Sequence, residues 1–173
     1  MAFRLFTTAT AGLLSVAMLL LIALVSMPAE SATKKGSGNP FVLLNGYWAG
    51  GGTVTPPRGA AEKVSCRVTY SVAGSAVTQN MRCAGTDYKF NTSSRLTYNG
   101  GQISGSWNET TYDASGSVSG TATANTVHAR ISGDKFSGRM SINVSGSRHT
   151  INIVQLDGKS GSYRQAANVS LHR

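Results

Sequence analysis

The sequence predicts an all-β protein: an antiparallel up-and-down meander of about eight to ten strands closing into a small barrel, behind an N-terminal signal helix. Three observations predict it. Beyond residue 40, apolar and polar residues alternate in short runs with almost no helical period. Gly-containing pairs punctuate those runs at hairpin spacing. The two cysteines of the chain, Cys66 and Cys83, fall opposite each other across one such pair.

The leader comes first in the chain. Arg4 precedes an apolar run from Ala11 to Val25. Pro28 breaks the run, and the small residues Ala29, Ser31 and Ala32 follow. A charged start, an apolar stretch and small residues around a cut site make a secretory signal peptide, with cleavage expected after Ser31. The competing reading is an uncleaved anchor, for which the run is marginal, since a spanning helix needs about 20 apolar residues. The expected organisation is a signal peptide over residues 1–31, a polar, Gly-rich flexible leader over 32–40 and a barrel over 41–173. A periplasmic or secreted location follows. Cleavage removes Arg4 and Glu30 together, so the net charge stays at +9.

The hairpin at 63–84 is the clearest unit. Val64, Cys66, Val68, Tyr70 and Val72 share one face, and Lys63, Ser65, Arg67, Thr69 and Ser71 the other. Gly74-Ser75 suits a two-residue II′ turn, which wants Gly first. That turn sets Val72 against Val77, Tyr70 against Gln79, Val68 against Met81 and Cys66 against Cys83. The cysteines then occupy a non-hydrogen-bonded pair, where Cα atoms approach to about 4.5 Å, within reach of a disulfide. An even cysteine count in an exported chain points the same way.

Other turn signals extend the meander. Asn99-Gly100 would set Leu96 against Ile103. Gly133-Asp134 would pair Ile131 with Phe136, Val127 with Met140 and His128 with Arg139. Gly146-Ser147 would pair Ile142 with Ile151 and Met140 with Ile153. Segments around Tyr88–Phe90, Trp107–Thr111, Val118–Ala122 and Val169–Leu171 complete the strands.

The first strand is read as Leu43-Leu44-Asn45-Gly46-Tyr47-Trp48-Ala49-Gly50. Its Gly46-x-Trp48 resembles the opening strand of calycins, the lipocalin and avidin superfamily. That resemblance implies that Gly46 and Trp48 are structural, that Trp48 closes one barrel end, and that a late arginine, Arg164 or Arg173, stacks on it. A second Gly-x-Trp occurs at Gly105-Ser106-Trp107. The chain also looks similar to small periplasmic inhibitors of bacterial metalloproteases, which implies a protease partner met by the leader segment. It is further similar to small exported proteins of alphaproteobacteria, a likeness that carries no activity.

The chemistry-bearing residues are sparse. No His-x-His or Cys-rich spacing marks a metal site, and no phosphate loop, nucleophile elbow or paired-carboxylate motif is present. The expectation is a non-enzymatic protein without metal or cofactor. Tyr70, Phe90, Trp107, Glu109, Met140 and His149 face inward and are the candidate lining of a site for a small apolar or amphipathic ligand. On the outer face, Lys63, Arg67, Arg82 and Arg95 form a candidate anion-binding surface, with Arg67 and Arg82 directly opposed. The partners implied are anionic lipid, lipopolysaccharide or acidic polysaccharide. Nucleic acid fits poorly, because no aromatic-interleaved basic motif occurs. An outer-membrane barrel fits poorly too, since the outer faces read Ser, Thr, Asn, Arg and Lys rather than as an apolar band. Beyond a binding protein, the functional alternatives are a protease inhibitor and a structural envelope protein.

Overall fold

The structure, a computed structural model, describes residues 39–57 and 59–173. The expected signal peptide with its cleavage site, and the expected leader as far as residue 38, lie outside the described residues. A one-turn helix, α1 (Phe41–Leu44), leads into ten strands: β1 (Gly46–Val54), β2 (Glu62–Ala73), β3 (Ala76–Ala84), β4 (Lys89–Asn99), β5 (Gln102–Glu109), β6 (Ala114–Ala122), β7 (Thr126–Gly133), β8 (Gly138–Ser145), β9 (Arg148–Leu156) and β10 (Tyr163–His172). Each strand pairs antiparallel with its sequence neighbours, and β1 pairs with β10 to close the barrel. Closure leaves no strand edge unpaired.

The β2–β3 register is the one the turn dictates. Val72 faces Val77, Tyr70 faces Gln79, Val68 faces Met81 and Cys66 faces Cys83. A disulfide joins the cysteines, with Cα atoms 4.1 Å apart. Both are buried on the inner face. The β8–β9 pairs Ile142–Ile151 and Met140–Ile153 likewise follow from Gly146-Ser147.

Three expectations are corrected. The strand read as starting at Leu43 starts at Gly46. Residues 41–44 form α1 because Pro40 sits at helical angles and the Asn39 carboxamide oxygen accepts the Phe41 N–H at 3.1 Å. Phe41 and Leu44, three apart, then bury together while Val42 and Leu43 face out. Gly46, at φ +111°, turns the chain from helix into strand. Second, Leu96 faces Gly105, and Ile103 faces Tyr98. The turn residues are Gly100 and Gly101, at φ +54° and +96°. A type I′ turn needs positive φ at both centres, and Gly-Gly meets that better than Asn-Gly. Third, Ile131 faces Gly138, Val127 faces Ile142 and His128 faces Ser141, which leaves Arg130 against Arg139. Here a four-residue loop replaces the expected two-residue turn. Its Asp134 carboxylate accepts the Lys135 N–H at 2.9 Å, and the Ser137 hydroxyl donates to the Gly133 carbonyl at 3.3 Å. Gly133 stays in β7, where a Cβ would stand 2.7 Å from the Trp107 ring. Both register slips are two residues, so every side chain keeps its face.

The two barrel ends differ. At the end holding α1, the turns β2–β3, β4–β5, β6–β7 and β8–β9 are tight, and the interior is packed. Trp48 is wholly buried, and its indole N–H donates to the Leu44 carbonyl at 2.6 Å. Arg173, not Arg164, covers it. The guanidinium carbon lies 4.6 Å from the indole centre, and Nη2 donates to the carbonyls of Leu43 and Asn45. Arg173 thus joins the last strand to the last turn of α1, where a cation is favoured.

Candidate functional site

The other half of the barrel is hollow. A cavity of about 1000 Å³ opens between the longer loops that carry Pro56, Asp87, Tyr112 and Phe136. Two causes make the space. Barrel diameter grows with strand number, and eight strands already suffice to enclose a small ligand. Inward positions on the hollow side also carry small residues: Ser94, Ala114, Ala166 and Ala167. A bulge in β10 between Gln165 and Ala167 turns two successive alanines inward.

The walls are apolar, with Met81, Val118, Ile131, Met140 and Ile153 facing the space. Aromatic rings gather at its mouth. Tyr88 stacks on Tyr112 at 5.6 Å and meets Phe90 at 5.8 Å, and Phe136 stands edge-on to Trp107 at 6.2 Å. Burial, then the nearby Tyr112 and Glu109, pushes the Tyr88 hydroxyl up to about 12, so it is a donor at any ordinary pH.

One row of polar groups runs up into the cavity. Tyr70, Gln79, Ser94 and Trp107 are successive cross-strand neighbours on β2, β3, β4 and β5. Because barrel strands tilt, this row climbs from the packed end, at Tyr70, to the open half, at Trp107. The Gln79 amide donates to the Tyr70 hydroxyl at 3.4 Å, and the Ser94 hydroxyl donates to the Gln79 carbonyl at 3.3 Å. Both bonds are long. Burial drives the Tyr70 hydroxyl well above its ordinary value, so it stays neutral.

The barrel is similar in fold to two solved structures. Rv2717c from M. tuberculosis matches with a TM-score of 0.63 at 13% identity, over 76% of this chain and 92% of that one. The S-type phycobiliprotein lyase CPES from Guillardia theta matches with a TM-score of 0.51 at 12% identity, over 76% of this chain and 88% of that one. Both likenesses are to the barrel fold. No protein family and no curated protein matches the sequence.

The candidate ligand residues divide by position. Phe90, Trp107, Glu109 and Met140 line the cavity. Tyr70 reaches it through Gln79. His149 lies outside it, wholly buried in the packed end, 4.6 Å from the Trp48 ring and 5.7 Å from the Tyr70 ring. Glu109 is committed to the backbone: its carboxylate accepts the N–H groups of Asn91 at 2.8 Å, Thr111 at 2.9 Å and Tyr112 at 2.6 Å. Burial raises its pKa, but those N–H groups outweigh burial and hold it below the usual carboxylate value. Gln79 and Ser94 were missed as site residues. The alternation of β3 and β4 places both inward, and a polar residue in an inward position is the signal that marks them.

The mouth loops are tied by charged side chains. Lys135 donates to the carbonyls of Tyr112 at 3.1 Å and Asp113 at 2.6 Å, and its ion pair with Asp113 spans 3.9 Å. Arg164 donates to the carbonyls of Thr55 at 3.3 Å and Pro56 at 3.2 Å, and to the Gln155 side chain. It therefore fixes the β1–β2 loop instead of stacking on Trp48.

On the outer wall Arg67 and Arg82 stand directly opposed and exposed. Arg130 and Arg139 form a second such pair. Arg95 faces Thr78, four residues along β3 from Arg82, and Lys63 lies four residues along β2 from Arg67. At about 3.3 Å per residue each is roughly 13 Å away. The predicted basic cluster is thus one close pair with two distant neighbours.

Proposed function

We propose that this protein is an exported, non-enzymatic binding protein that holds a small, largely apolar amphiphile in the open half of its barrel. The cavity carries the reading. About 1000 Å³ bounded by Met, Val, Ile and aromatic side chains, with a few convergent polar groups, is the form small-molecule sites take. Export rests on the leader sequence and on the Cys66–Cys83 disulfide, which suits an oxidising compartment. The protease-inhibitor reading calls for a barrel filled by Tyr70, Phe90, Trp107 and Met140, and the hollow interior favours the binding protein instead.

Titration with N-phenyl-1-naphthylamine, whose emission rises in apolar surroundings, tests the reading. Saturable, blue-shifted emission is expected, and it should weaken at least tenfold in Ala167→Phe, which fills the cavity. Absent emission, or equal emission from the variant, rules out a ligand-accessible cavity.

A second reading rests on a different observation, the two cross-strand arginine pairs on the outer wall. Like charges directly across a ladder destabilise it. A polyanion of the cell envelope, such as anionic lipid, lipopolysaccharide or acidic polysaccharide, would relieve that cost.

A further inference from the structure

Among the described residues that line the cavity, the charged ones are Glu62, Asp87, Glu109 and Lys135. Three carboxylates thus stand against one ammonium in a protein whose net charge is +9. The ammonium of Lys135 is at the mouth and is already held by two carbonyls and Asp113. Arg164, beside the β1–β2 loop, is spent on Thr55, Pro56 and Gln155. Among the described residues, then, the one cation lining the cavity is Lys135, and it is already engaged. The polar row itself is neutral: the amide of Gln79 and the hydroxyl of Ser94, joined to each other and to Tyr70 by bonds of 3.3 and 3.4 Å.

Resting on the cavity reading, we infer that the site selects an uncharged amphiphile, with its hydrogen-bonding group at Gln79 and Ser94, its chain along the apolar wall and its far end among the mouth aromatics. A carboxylate carried to the same depth would exchange its hydration for the neutral Gln79 and Ser94 alone, and would pass the like charges of Glu62, Asp87 and Glu109 on the way. An ester, alcohol or ketone loses less, because the Gln79 N–H and the Ser94 hydroxyl offer donors, and the Gln79 carbonyl an acceptor. The long internal bonds of the row leave these groups better satisfied by a ligand than by each other.

The experiment is displacement of N-phenyl-1-naphthylamine at pH 8 by three ligands of one chain length: methyl dodecanoate, 1-dodecanol and dodecanoate. The ester and the alcohol are expected to displace the probe at concentrations at least tenfold below that of the carboxylate. Gln79→Leu should weaken the alcohol about tenfold relative to the probe, since a buried hydroxyl left without its partner costs about that much. The wild-type series stands whether or not the variant folds. Dodecanoate binding as tightly as its ester, or an alcohol indifferent to Gln79→Leu, overturns the inference and leaves the cavity reading intact. A wild-type protein that takes up neither the probe nor the alcohol overturns both.

Discussion

His149 is the residue whose environment is least like that of its type. Both ring nitrogens are buried without a hydrogen-bond partner, between Trp48 and Tyr70. Burial lowers its pKa from 6.5 to about 4, so at neutral pH it is an uncharged ring packed as a hydrocarbon would be. The cost appears in acid. The unfolded chain takes up a proton near pH 6.5 and the folded one near pH 4, so protonation favours unfolding throughout that window. Stability is undiminished above pH 6.5 and falls as pH drops toward 4, by about 3 kcal/mol in all. His149→Leu keeps a similar volume and removes two unsatisfied nitrogens, a change that is neutral or stabilising when the shape is kept. Urea midpoints measured from pH 7 to pH 4.5 should therefore fall less in the variant than in the wild type. Parallel curves would mean that this ring does not govern the acid response. Sequence placed His149 inward, and the structure pairs it with Val144, but a strand pattern gives no depth, so it could not separate the packed end from the cavity.

Among the elements, the β2–β3 hairpin was legible to the residue, because Gly74-Ser75 offers one turn and one register. The β4–β5 and β7–β8 hairpins were legible only in which face each side chain takes. In both, local chemistry beyond the obvious dipeptide moved the turn: Gly101 in one case, the Asp134 and Ser137 hydrogen bonds in the other. The one-turn α1 was hidden because four residues are too few to show a helical period. The disulfide adds to a hairpin whose register is already set, and its cysteines are 17 positions apart in sequence. In the chain-entropy account such a loop stabilises the fold by about 3 kcal/mol. Replacing Cys66 and Cys83 together by Ala should lower unfolding free energy by roughly that amount or somewhat more, since two buried sulfurs are lost as well. Calorimetry on the double variant would show it, and an unchanged transition would mean that the closed barrel alone restrains this hairpin.

At the scale of the whole molecule, barrel closure and strand number followed from the spacing of turns, but hollowness did not. The empty volume depends on how ten tilted strands set the diameter and on which small residues share a level, and neither is a property of any single strand. Charge distribution also emerges only at this scale: among the described residues carboxylates predominate in the cavity lining, while the outer wall carries opposed arginines. The segregation lets one surface repel an anion that another attracts. Changing both Arg67 and Arg82 to Gln removes two positive charges from the outer wall without touching the cavity. The free protein should gain a few tenths of a kcal/mol, because a like-charge cross-strand pair is relieved. Co-sedimentation with vesicles containing phosphatidylglycerol should weaken in the double variant. Wild-type pelleting should itself fade as salt rises through about 0.1 M, where the Debye length has shrunk to about 10 Å. Lipopolysaccharide and acidic polysaccharide, added as competitors, distinguish which polyanion the wall prefers. Equal pelleting of the two proteins, or none at low salt, would return Arg67 and Arg82 to the class of solvated charges that keep a basic barrel soluble.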